Sequence, residues 1–219
     1  MKPTNVAAPI HLLGKRVIIG LVGHAKSGKD TVGMLLDQLV PDGAMTFAFA
    51  TPMKRIVDSL FNATDAQLYG PSAMRELPLE GFTRPDGSPL TTRYALQRLG
   101  DFGRACDPLM WVKDTFTEMN ARDYSVPAGK LFVITDVRFI NEAKAVKDAG
   151  GILWRIHRPK TDPKPHRWWQ FWRKRLHVSE RDIFAKEMTK LVDVELCNDS
   201  TLPALRDAVK VALNNWRNR

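Results

Sequence analysis

Nine consecutive residues, Gly23-His24-Ala25-Lys26-Ser27-Gly28-Lys29-Asp30-Thr31, have the types and spacing to hold a chain of phosphates. Glycines let successive backbone N–H groups curl inward around phosphate oxygens, and a helix opening behind them adds the partial positive charge of its N-terminus. Lys29 stands where an ammonium reaches the β- and γ-phosphates and neutralises charge that grows during transfer. The spacing is GxxxxGK, but the next position, usually a Ser or Thr that holds Mg2+, is Asp30, with Thr31 behind it. A carboxylate there can ligate Mg2+ directly or through water, or accept the proton of an attacking oxygen. The departure points to phosphoryl transfer onto a metabolite rather than to a signalling GTPase or a motor. Asp136 closes the apolar run Leu131 to Thr135, a placement that suits an acid near Mg2+ and equally a helix cap or turn residue. Arg138 and Glu142 add a cation and an anion at the same sheet edge, where open α/β sheets bind ligands.

A second concentration of chemistry is basic. The chain carries 33 Lys and Arg against 24 Asp and Glu, a balance of +9. Eight of those cations (Arg155, Arg158, Lys160, Lys164, Arg167, Arg173, Lys174 and Arg175) lie between Arg155 and His177, with Asp162 as the one acid, so most of the excess sits in about a tenth of the chain. Three readings stay open. The segment is a solvated loop; or Trp168, Trp169, Phe171 and Trp172 stack on bases or sit in a membrane interface; or it is a lid that brings arginines to a transferred phosphate and excludes water. The phosphate loop upstream favours the lid. At its end, His177 and Glu180 are candidate site residues, while Ser179 with Asp182 reads as a helix-capping pair. His24 reads as solvent-facing and passive. His11, His157 and His166 lack metal-ligand spacing, and Cys106 and Cys197 have no base beside them in the sequence.

These residues need elements to position them. Arg16 to Val22 is a short apolar, β-branched run, the pattern of a buried strand. Val32, Leu35, Leu36 and Leu39 fall on one helix face. Pro41-Asp42-Gly43 is a turn; Met45 to Phe49 reads as a strand, and Thr51-Pro52 as a cap with Pro at the first position of a helix to about Phe61. Residues 70 to 92, rich in Pro and Gly, read as a loop or mobile excursion. Thr92 to Cys106 and Pro108 to Arg122 read as helices, Lys130 to Thr135 as a strand, and Asn141 to Ala149 as a helix stopped by Gly150-Gly151. Ile152 to His157 is a fourth strand. A short helix opened by Ser179, a fifth strand at Leu191 to Leu196 and a last helix with a stripe of Leu202, Leu205, Val209, Leu213 and Trp216 complete the chain. Strands alternating with amphipathic helices predict an α/β domain with a five-stranded parallel sheet flanked by helices.

The composition agrees. At 219 residues and 24.8 kDa, 44% hydrophobic and 26% charged, the chain is of ordinary globular make-up and suits one domain, 1–219. The apolar stretch Val17 to Val22 is far too short to span a membrane, the N-terminal residues do not read as a secretory signal, and two cysteines make no disulfide framework. A reduced cytoplasm is the expectation.

Together, the motifs are identified with a family. Gly23 to Thr31, Phe49-Ala-Thr-Pro-Met-Lys54, Leu96-Gln-Arg-Leu-Gly100 with Met110-Trp-Val-Lys113, Ile134-Thr-Asp-Val-Arg138 with Asn141-Glu142, Gly150-Gly-Ile-Leu-Trp-Arg-Ile-His-Arg-Pro159, His177-Val-Ser-Glu180 and Asn198-Asp199 occur in an order that resembles the bacteriophage-type deoxynucleoside monophosphate kinases, of the P-loop kinase fold. The resemblance spans residues 16 to 213. It implies transfer of the ATP γ-phosphate to a deoxynucleoside 5′-monophosphate with Mg2+, supplying DNA precursors. It places ATP on Gly23, Ala25, Lys26, Ser27, Gly28, Lys29, Asp30, Thr31 and Asn198, and Mg2+ on Asp30, Thr31 and Asp136, directly or through water. The catalytic set is Lys29, Asp30 and Arg138. A helical monophosphate-binding region, about 50–125, uses Lys54, Gln97, Arg98 and Trp111, with Asp136, Arg138 and Glu142 beside the substrate. A basic lid, about 158–178, offers Arg158, Arg167, Arg173, Arg175, His177 and, just beyond, Glu180. A homodimer is implied, with no stable nucleic-acid partner and no membrane. The rivals are another small-molecule kinase on this scaffold, of the dephospho-coenzyme A or phosphomevalonate type, and an NTPase stimulated by nucleic acid or lipid.

Overall fold

The structure, a computed structural model, describes residues 17–123, 130–159, 183 and 185–217. Its chain divides into two compact units, one of residues 1–48 and 116–219 and one of residues 49–115.

In the first unit, β1 (Val17–Val22), β2 (Ala44–Phe47), β5 (Leu131–Val137), β6 (Ile152–His157) and β7 (Val194–Cys197) form a five-stranded sheet in the order β2-β5-β1-β6-β7. Every pairing is parallel. The strands are apolar on both sides because both faces are covered. On one face Ile19, Leu21, Val133, Trp154 and Ile156 pack with Val32, Leu35 and Leu36 of α1 (Lys29–Leu39) and with Leu205, Val209 and Leu213 of α8 (Leu202–Arg217). On the other face Gly20 lies against Val146 of α6 (Ile140–Asp148). A short helix, α7 (Lys186–Leu191), packs with α6. Parallel strands put their carboxyl ends at one edge, so Gly23, Arg138, Arg158 and Asn198 all leave the sheet there.

The α/β reading with a five-stranded parallel sheet holds, and the element boundaries shift. Leu202 is 59% exposed and stands outside the last helix's buried stripe. Thr51 is itself helical, Ala50 is the cap, and Pro52 sits one place later than expected, tolerated because first-turn N–H groups have no helical acceptor. The fifth strand, expected from Leu191, begins at Val194, because Leu191 ends α7. Strand β5 runs through Asp136 to Val137, which pairs with Val22 across an irregularity in the ladder.

The 49–115 unit holds α2 (Thr51–Phe61), α3 (Asp65–Tyr69), a 3-10 turn (Ser72–Glu76), β3 (Pro78–Thr83), β4 (Pro89–Thr91) and α4 (Thr92–Cys106); the division falls inside α5 (Met110–Asp123). Its core is Val57, Ala63, Leu68, Leu79 and Ala95. The excursion expected at 70–92 is built instead. Two of its prolines open strands, and between them Arg84 N donates to Ser88 O at 2.8 Å, with Gly87 in the left-handed region at φ 79°. Proline at a strand's first residue and glycine in the turn suit an antiparallel hairpin, a pattern that composition alone does not separate from a loop.

Candidate active site

The chain leaves β1 at Gly23 and re-enters regular structure at Lys29. Between them Lys26 (φ 65°) and Gly28 (φ 101°) are left-handed, and Ser27 N donates to His24 O at 3.1 Å. Such alternation makes a concave nest of N–H groups, an anion cradle. Two neighbours hold the loop's carbonyls from outside. Asn198, just past β7, donates from Nδ2 to Ser27 O at 2.9 Å, and its own N–H donates to His157 O at 2.7 Å. Arg158, just past β6, donates from Nη1 to Lys26 O at 3.4 Å. At Gly28 a Cβ would meet Asn198 Nδ2 at 2.4 Å, so both the backbone angle and the brace require glycine.

Lys29 is only 8% exposed. Its ammonium donates to Gly23 O at 2.8 Å and His24 O at 2.7 Å, folded across the loop. Ser27 is fully buried, its hydroxyl lies against Gly23, and it has no hydrogen-bond partner among the described residues. Buried hydroxyls are normally paired, so this one is an exception among the described residues. Ala25 is half-buried and Lys26 exposed, while His24, expected to face solvent, is half-buried with Nδ1 3.2 Å from Ala25 O.

Asp30 is exposed in the first turn of α1, Thr31 is half-buried behind it, and Asp136 is half-buried at the end of β5. Among the described residues no three His, Cys, Asp or Glu side chains gather into a metal cage. Hard oxygen donors in ones and twos suit Mg2+, which takes its remaining ligands from water and phosphate. Asp30, Thr31 and Asp136 therefore fit that ion in chemistry.

Glu142 lies in the first turn of α6 and is 7% exposed. Its Oε2 accepts N–H groups from Arg138 at 2.8 Å and Phe139 at 3.0 Å. Burial and the nearby Asp136 carboxylate push its carboxyl up to about 8, against the pull of the two N–H groups and of Arg138. The side chain expected beside substrate is thus engaged with backbone.

In the 49–115 unit Lys54 lies over the Tyr69 ring, 4.3 Å from its centre, and Tyr69 had no place in the sequence reading. Gln97 is half-buried and Arg98 exposed on α4. Trp111 is buried: its Nε1 donates to Gly100 O at 3.3 Å, and its ring presses on Gly103, where a Cβ would come within 2.3 Å. It joins α5 to α4.

Of the lid set, Arg158 is placed, and Arg167, Arg173, Arg175, His177 and Glu180 lie outside the described residues, as do Ser179, Asp182 and the Trp-rich run. Arg155 corrects the charge count. It is 6% exposed, donating to Thr189 Oγ1 at 3.1 Å, Glu195 Oε1 at 3.3 Å and Ile183 O at 3.3 Å. Desolvation lowers its pKa, Glu195 opposing. This cation belongs to the β6–β7–α7 framework, and its signal was its position inside an apolar strand. Among the described residues no helix is long and apolar enough to cross a membrane.

No family model matches the chain. A protein of Acanthamoeba polyphaga mimivirus, provisionally named deoxynucleotide monophosphate kinase, is 36% identical over 152 residues, which is 65% of this chain and 75% of the viral protein. A solved dephospho-CoA kinase from Campylobacter jejuni superposes over 93% of this chain and 97% of its own, with a TM-score of 0.50 and 15% identity. A shikimate kinase from Acinetobacter baumannii, solved with shikimate, covers 94% of this chain and 95% of its own at a TM-score of 0.43 and 12% identity. At that identity the Campylobacter enzyme speaks for the fold alone.

Proposed function

Since the chain belongs to the deoxynucleotide monophosphate kinase family, we propose that it transfers the γ-phosphate of ATP to a deoxynucleoside 5′-monophosphate, giving ADP and the deoxynucleoside diphosphate. The observation that carries the reading is the braced phosphate loop, with left-handed Lys26 and Gly28 and the Lys29 ammonium folded over two of its carbonyls.

Phosphoryl transfer asks for positioning and charge neutralisation more than covalent help. The loop's N–H groups and Ser27 hydroxyl receive the donor's phosphates. Lys29 exchanges the carbonyls of Gly23 and His24 for phosphate oxygens, a short movement because the ammonium already lies at the loop. Lys54, Gln97 and Arg98 hold the acceptor, whose phosphate oxygen attacks the γ-phosphorus as the bond to the β-γ bridging oxygen breaks. Arg138 neutralises charge on the transferred group. Mg2+ held by Asp30, Thr31 and Asp136 supplies further charge neutralisation when bound. Asp30 takes the proton of the attacking oxygen where the acceptor carries one. Asn198 serves ATP through the loop that it braces, and Trp111 serves the acceptor through the packing of α4. The lid role of Arg158, Arg167, Arg173, Arg175, His177 and Glu180, action in the cytoplasm, and assembly as a homodimer belong to the same proposal.

The test is direct. Purified protein with Mg-ATP is given dGMP, dTMP, dCMP and dAMP and their ribose counterparts, and ADP is quantified. ADP formed only with a deoxy-monophosphate supports the proposal and names the base. ATP binding without turnover on any of them removes the acceptor assignment and turns attention to coenzyme A precursors.

A further inference from the structure

Asp136 is the last residue but one of β5, and Arg138 follows two residues on, just past the strand's end. Val137, opposite Val22, is the last residue of β5. A further hold on the Arg138 peptide comes from the next element. Glu142, three residues into α6, turns back so that one carboxyl oxygen accepts both the Phe139 and the Arg138 N–H groups. The Phe139 bond is the ordinary reach of a third-position glutamate to its own helix cap. The Arg138 bond is not, since that N–H lies one residue outside the cap. A carboxyl buried to 7% exposure beside another acid is also costly, and a helix cap at the surface would have served α6 without it.

We propose that Glu142 is the positioning residue for Arg138: it touches no substrate, and by holding the Arg138 peptide it sets the direction in which the guanidinium leaves the sheet edge. The catalytic consequence rests on the kinase reading above; the geometric part does not. Alanine at position 142 releases two N–H groups and lets the turn rotate, so Arg138 spends its time in orientations that do not meet phosphate. Glutamine keeps an oxygen for the same two donors and restores the turn.

The experiment is a cycle of Arg138→Ala, Glu142→Ala, the double variant and Glu142→Gln, read as kcat/KM for the best monophosphate together with amide hydrogen exchange at residues 138 and 139. Each alanine variant is expected to lose about tenfold or more, the double variant to be no worse than Arg138→Ala within about twofold, and Glu142→Gln to recover to within about threefold of wild type. Losses that multiply in the double variant, or a Glu142→Gln variant as poor as Glu142→Ala, overturn the proposal, because Glu142 would then act by its own charge. If Glu142→Ala does not fold, Glu142→Asp, which withdraws the acceptor by one methylene, takes its place. If wild type phosphorylates none of the monophosphates, the kinase reading fails and the exchange arm still judges the geometry. Slow exchange at residue 138 in wild type that becomes fast in Glu142→Asp upholds it, and fast exchange in wild type overturns it.

Discussion

At the phosphate loop, Lys29 is held by two carbonyls, Ser27 and Lys26 have their carbonyls tied by Asn198 and Arg158, and Gly28 is pinned by its backbone angle. In the 49–115 unit the candidate cations are carried differently. Lys54 rests on an aromatic face and Arg98 stands exposed on a helix. One region fixes its chemistry through backbone, held in place by braces from far along the chain. The other carries its candidate cations on long side chains with several rotamers each. Under the proposed function, the contrast would separate a part that binds the nucleoside triphosphate donor in one geometry from a part that varies with the acceptor.

The largest effect expected from this contrast is at Lys29. Lys29→Met should lower kcat/KM by about 100-fold or more while leaving the melting temperature within a few degrees, since the transition-state charge loses its partner and the loop keeps its Asn198 brace. Steady-state kinetics beside a melting curve checks both, and a variant above a tenth of the wild-type rate contradicts the assignment. A smaller effect belongs to the other region. Lys54→Ala and Arg98→Ala should each raise KM for the monophosphate by about tenfold and leave KM for ATP and kcat much less changed, the signature of lost ground-state binding. If either lowers kcat as much as kcat/KM, the difference drawn between the regions fails.

The smallest effect is on stability. Glu142 has its folded pKa raised from 4.5 to about 8, so its contribution is full below about pH 4.5 and is lost as pH rises towards 8. Wild type should therefore lose a few degrees more of melting temperature between pH 5 and pH 8.5 than Glu142→Gln does. Parallel curves for the two proteins would remove the buried-acid argument.

Much of this was legible in the sequence. The GxxxxGK run gave the loop because a strand and a helix had to flank it, and both do, at Val17–Val22 and Lys29–Leu39. Thr92–Cys106 and Ile152–His157 match their expected bounds, since each is delimited by local turn or cap residues. The hairpin at 78–91 was not legible, because its prolines and glycines are those of a loop until two strands find each other. Arg155 reads in the sequence as one more cation of the basic segment, and only its burial assigns it to the framework; the burial of Trp111 was likewise not legible.

By itself, then, the sequence determined what is local: the alternation of strand and helix, the phosphate loop, and the family to which its motifs point. Tertiary structure decided everything that depends on partners far apart in the chain. Asn198 reaches Ser27 across 171 positions, and which cations are buried depends on the elements that pack over them. Period and turn chemistry act between neighbours, whereas burial and long-range hydrogen bonds exist only once the sheet has brought its strands together.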